Sequence, residues 1–174
     1  MERKVNVVED LAGNKIVIIR DVLFKGKRSI EWSDVEVYLK RFVHESVVIE
    51  DTDDLIYIGT DFPDEYAHSE YTASLKGANA KVKANAAQGI PELIEIANGK
   101  MYKENRKEKH GKDAKYGWYR YHSRFALPIC NSNGETVGYN VFHVIMVVGY
   151  AHDGKMYLYD LVNIKKETST LFQS

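Results

Sequence analysis

The sequence predicts an α+β fold, in which helices pack on a C-terminal antiparallel β-meander preceded by a β-hairpin and a short capped helix. Three observations carry this. Asn133-Gly134 and Asp153-Gly154 separate three strand-like runs over 118–130, 136–151 and 155–166, and such pairs suit hairpin turns that need positive φ. Between 69 and 97 alanine is abundant and β-branched runs are absent, which favours helix. Near the N-terminus, the run Ile16-Val17-Ile18-Ile19 follows residues 5–8 across a turn at Ala12-Gly13 or Gly13-Asn14.

The elements follow in order. After the hairpin, Ser33-Asp34-Val35-Glu36 reads as a capping box, and Val35, Leu39 and Phe42 then recur at helical spacing. Leu55-Ile56-Tyr57-Ile58 reads as a buried strand ending at Gly59, before an acidic turn over 61–65. One helix is expected over 70–88 and a second over 91–97, since Pro91 suits a first helical turn and Gly99 a stop. Residues 100–116 read as a basic, turn-rich loop. The 174 residues suit a single domain, with a strand and helix region over 1–65 and the helical segment and meander over 66–174.

Composition narrows the function. The longest mainly apolar run, 141–151, falls well short of the ~20 residues that span a bilayer, and the first residues lack the apolar core of a secretion signal; a cytoplasmic location is expected. Cys130 is the single cysteine, so no internal disulfide can form, and strand packing is its expected role. The net charge of −1 hides a segregated distribution. Residues 45–70 hold nine acidic side chains and no Lys or Arg, whereas 100–124 hold nine basic side chains against three acidic ones. The two stretches either attract each other as solvated loops or leave a basic surface for a polyanion.

Two-residue turns set the strand registers. They pair Phe125 with Phe142, Arg124 with His143, His143 with Ile164, and Val147 with Asp160. Alternation then places Arg120, His122, Arg124, His143 and Asp160 on one face, and Tyr119, Tyr121, Phe125, Phe142, Met146, Tyr157 and Tyr159 on the other. A three-residue loop would shift a strand by one and flip it.

No Gly-rich phosphate loop, His-Glu-x-x-His helix or Gly-x-Ser-x-Gly elbow is present. The six histidines lack the short spacings of structural zinc sites, so neither metal nor cofactor is expected. What remains is a cluster of Arg, His, Lys and Tyr, residue types that bind a phosphodiester and move protons on it. RNA cleavage needs a base for the ribose 2′-hydroxyl, cations for the phosphate, and an acid for the leaving 5′-oxygen. Lys109, His110, Lys112, Lys115, Trp118 and Tyr121 are the expected RNA contacts, the aromatics by stacking on unpaired bases. Core packing of the strand aromatics and of His143 is the competing assignment.

The stretch Ala84-Asn85-Ala86-Ala87-Gln88-Gly89-Ile90-Pro91-Glu92-Leu93-Ile94, with Arg120-Tyr121, Tyr139-Asn140-Val141 and Gly154-Lys155-Met156-Tyr157-Leu158-Tyr159-Asp160, resembles nuclease domains of large polyvalent proteins of phages and mobile elements. Those domains are grouped with the barnase, EndoU, colicin and RelE-like nucleases. The resemblance covers roughly 70–167 and implies helices on an antiparallel sheet and metal-independent cleavage of RNA. Matched by residue type, it implies His143 or His122 as acid or base and Arg120 and Arg124 as phosphate ligands. Single-stranded RNA is the expected partner. The alternative is a non-catalytic inhibitor or interaction protein, whose acidic 45–70 stretch mimics nucleic acid toward a host defence or immunity protein; a structural interaction domain is a third reading.

Overall fold

The computed structural model describes residues 3–26, 29–106 and 110–167. Two strands, β1 (Val5–Glu9) and β2 (Lys15–Ile19), form the expected N-terminal hairpin, with Val7 opposite Val17. Helix α1 (Trp32–Leu39) buries Val35, Tyr38 and Leu39, and a 3-10 turn over Lys40–Phe42 adds Phe42. The expected capping box is corrected: the N-cap is Glu31, and no side chain caps it. Ile30 is buried and Trp32 packs against the core, and these anchors begin the helix early enough to leave Ser33 inside the first turn.

Short strands β3 (Ser46–Val48) and β4 (Leu55–Tyr57) pair antiparallel. The expected acidic turn is instead the start of helix α2 (Phe62–His68), with Pro63 in its first turn. The single helix expected over 70–88 is also corrected. It divides into α3 (Glu70–Ser74), α4 (Ala78–Ala86) and a 3-10 turn over Ala87–Gly89, because the chain is extended at Leu75. Ser69 caps α3 by accepting from the Thr72 N–H, while its hydroxyl donates to Asp160 Oδ2 at 2.7 Å. This tie to the sheet outweighs helix propensity. Helix α5 (Ile90–Glu95) then leads into β5 (Asn98–Lys103), so the start of the expected basic loop is a strand.

Strands β6 (Trp118–Cys130), β7 (Thr136–Tyr150) and β8 (Met156–Lys166) form the expected antiparallel meander. The whole sheet is mixed. Its eight strands run β1-β2-β6-β7-β8-β4-β3, with β5 on the same edge of β6 as β2. The pairs β2/β6 and β4/β8 are parallel, and β4 meets β8 only at Met156 and Tyr157. Both meander hairpins close through three-residue loops: Asn131 N–H donates to Glu135 O and Ala151 N–H to Lys155 O. Gly134 and Gly154 hold φ of 79° and 80° there, the left-handed position this loop requires.

One face of the sheet carries the main core. Val17, Ile19, Tyr121, Phe125, Phe142, Val144, Met146 and Leu158 meet Ala84, Ala87, Ile90, Leu93 and Ile94 from the helical layer. Across it, Lys83 Nζ donates to Asp160 Oδ1 at 2.5 Å and to Thr72 Oγ1 at 2.5 Å, beneath the Tyr66 ring. Asp160 therefore leaves the face on which it was expected and joins the helices. Burial pushes the Lys83 ammonium down and the Asp160 carboxyl up, against the attraction of the pair. Tyr71 also bridges the layers, its hydroxyl accepting from the Ile164 N–H at 3.0 Å. Among the described residues, no buried side-chain nitrogen or oxygen lacks a partner, as stable interiors require.

Candidate functional site

The opposite face of the meander carries the histidines. Alternation along β6 points Arg120, His122 and Arg124 to one side, and the register sets Arg124 opposite His143 as expected. His122 lies opposite Ile145, so it reaches His143 along the diagonal. The two rings approach with centroids 4.9 Å apart, and His122 Nδ1 and His143 Nε2 are 2.8 Å apart. One nitrogen must donate and the other accept, so the pair excludes double protonation while the contact lasts. Burial, and then the positive charge of His122 and Arg124, lowers the pKa of His143 from its ordinary value, with Glu167 opposing.

Arg124 is more tightly held than its expected role requires. Its Nε and NH2 reach the two Glu167 oxygens at 3.1 and 2.9 Å, and NH1 reaches Asp10 Oδ2 at 2.9 Å. A phosphate at Arg124 must compete with two carboxylates. Arg120 differs: it is half-buried, and its side chain makes no hydrogen bond or ion pair among the described residues. Lys165 pairs with His143 across β7 and β8, adding a cation that was not anticipated. Asp10 sits in a turn and Glu167 follows β8, so neither is a neighbour of Arg124 in any local pattern.

The expected RNA contacts separate. Tyr121 is buried on the helical face, where its hydroxyl donates to Asp54 at 2.8 Å, and it offers no ring for stacking. Burial and that carboxylate push its pKa far above the ordinary value. Trp118 is half-buried, with Tyr159 at 4.9 Å and His110 at 5.2 Å between ring centroids; Tyr159 thus lies on the Trp118 side, not beside Phe142 as expected. Tyr157 changes side with it, opposite Gly149. His110 packs edge-on against both rings. Lys112 and Lys115 are exposed, and Lys109 lies outside the described residues.

The acidic and basic stretches meet. Lys100 reaches Asp54 at 2.9 Å, and Thr52 and Tyr121 also donate to that carboxylate. Burial would raise the Asp54 pKa, but these donors outweigh it and hold the group below its ordinary value. Lys15 pairs with Glu50. Among the described residues, metal-ligating side chains converge in threes at Glu36, Asp64 and His68, between α1 and α2. No helix among them is long and apolar enough to cross a membrane. Comparison with models of known protein families, with curated proteins and with solved structures gives no match.

Proposed function

We propose that the chain is a metal-independent endoribonuclease-like domain of phage or mobile-element origin, acting in the cytoplasm on single-stranded RNA. The observation that carries this reading is the 2.8 Å contact between His122 and His143 on a sheet face that also presents Arg120. A histidine kept neutral takes the 2′-hydroxyl proton as the 2′-oxygen bonds to phosphorus. The protonated partner gives its proton to the 5′-oxygen as the P–O5′ bond breaks. The products are a 2′,3′-cyclic phosphate and a free 5′-hydroxyl. Attack and departure lie in line, so the entering phosphate parts the two rings, and Arg120 neutralises its non-bridging oxygens.

The inhibitor reading is supported less, because Glu50 and Asp54 spend their charge on Lys15 and Lys100 within the chain. End-labelled single-stranded RNA, incubated with and without EDTA, tests the proposal. Cleavage that survives EDTA and is lost in both His122→Ala and His143→Ala is the expected result. Intact RNA together with no salt-sensitive binding at low ionic strength overturns it.

A further inference from the structure

We propose that Glu36, Asp64 and His68 form a binding site for a divalent transition-metal ion of the zinc class. The site shares no residue with the histidine pair and does not depend on the ribonuclease reading. It begins with helix periodicity: Asp64 and His68 are four residues apart on α2 and project from one face. Helix α1 packs against α2 and brings Glu36 to the same place, with Glu36 Oε1 2.9 Å from His68 Nε2. One donor atom from each of the three side chains lies within 4.8 Å of the other two. Zinc binds His nitrogen and carboxylate oxygen at about 2.0–2.2 Å, so tetrahedral donors sit roughly 3.5 Å apart around it. Rotation of the exposed Asp64 and His68 side chains toward the half-buried Glu36 is the movement that would close that difference.

Charge makes a second, independent argument. Two carboxylates converge here, and among the described residues neither Glu36 nor Asp64 pairs with a lysine or arginine. By contrast Glu167 and Asp10 share a cation, since both flank Arg124. A bound dication supplies the missing charge between α1 and α2. The donor set selects its class, because Ca²⁺ and Mg²⁺ prefer all-oxygen shells whereas imidazole with carboxylate suits Zn²⁺, Co²⁺ and Ni²⁺. Three protein ligands leave a coordination position for water. His68 is 48% exposed, so the ion reaches the site directly from solvent. The ion would clamp α1 to α2 just before Ser69, the residue that ties the helical layer to Asp160.

Co²⁺ titration of EDTA-stripped full-length protein tests the site, read by visible absorption and by calorimetry with Zn²⁺. The expected result is saturable binding near one equivalent, weakened at least tenfold by His68→Ala and by Asp64→Asn, with Zn²⁺ raising the melting temperature of the parent but not of His68→Ala. These side chains are on the surface, and far-UV circular dichroism checks that each variant is folded. His44→Ala should bind as the parent does. Three results overturn the proposal: no saturable binding, binding that survives His68→Ala but is lost in His122→Ala, or equal affinity for Mg²⁺.

Discussion

The two faces of the meander each carry a polar pair at hydrogen-bond distance, and the pairs have opposite surroundings. On the helical face, Lys83 and Asp160 meet at 2.5 Å with side chains 0% and 3% exposed, and Ser69, Thr72 and the Leu161 N–H complete their bonding. On the other face, His122 is exposed and His143 half-buried, and their rings bond to each other at 2.8 Å. Burial makes the first pair a fastener between layers, since separating it leaves a charge without water. Exposure makes the second pair exchangeable, because water or a ligand can replace either ring. The two faces thus differ in what they hold, one side a buried fastener to the helical layer and the other an exchangeable imidazole pair.

The largest effect that can break this contrast is Lys83→Ala. It strands the Asp160 carboxylate and should cost about 3–5 kcal/mol, seen as a melting temperature lower by roughly 6–20 °C. A Lys83→Met, Asp160→Leu double variant should recover most of that loss. A single-variant cost below about 1 kcal/mol in calorimetry would show the buried pair to be dispensable.

His143→Ala tests the other face. Single-turnover cleavage should fall by ~10²–10⁴-fold while RNA affinity and melting temperature stay near the parent's. A destabilised protein whose folded fraction cleaves normally would instead make His143 a packing residue. Arg120→Ala should weaken binding and turnover together, whereas Arg124→Ala should lower stability, because it releases Asp10 and Glu167.

A smaller effect is expected from Tyr121→Phe, about 1 kcal/mol for one hydrogen bond to a carboxylate that keeps two other donors. The pH dependence follows from sign. The Asp54 pKa is lowered in the folded chain, so its stabilisation is present above the ordinary carboxylate value and is lost as pH falls through the folded one. Tyr121→Phe should make that acid loss shallower in thermal melts below pH ~4. The smallest effect belongs to His143, whose folded pKa is also lowered. Between that value and the unfolded value near 6.5, stability should rise with pH, and His143→Ala should flatten this slope.

The central register was legible because two shifts cancel. The 131–135 turn is a three-residue loop, which displaces Cys130 to pair with Thr136, and a bulge after Ile129 then restores the alignment that sets Arg124 against His143. The second hairpin behaves similarly: its loop turns Tyr157 and Tyr159 to the other face, and the irregularity between Val147 and Val148 recovers Val147 opposite Asp160. A further bulge moves His143 from Ile164 to Lys165. The parallel pairs were not legible, since only crossover connections create them and no local period marks them. The same holds for the partners of Arg124, and for Lys83, which looks like an ordinary helix lysine until Asp160 lies above it. The metal triad escaped the histidine spacings because it mixes residue types and draws Glu36 from another helix.

Strand β8 has eleven residues, and β4 covers only its first two. A long strand with a bare flank invites another chain to add itself as the next strand, the first step of fibrillar aggregation. The hydroxyl of Tyr71 already occupies the Ile164 N–H. Exposed Lys165 and Lys166 follow it, and their charges repel a second copy laid alongside. Among the described residues, a helix side chain and two lysines thus oppose the addition of a second copy along the part of this edge that β4 leaves unpaired.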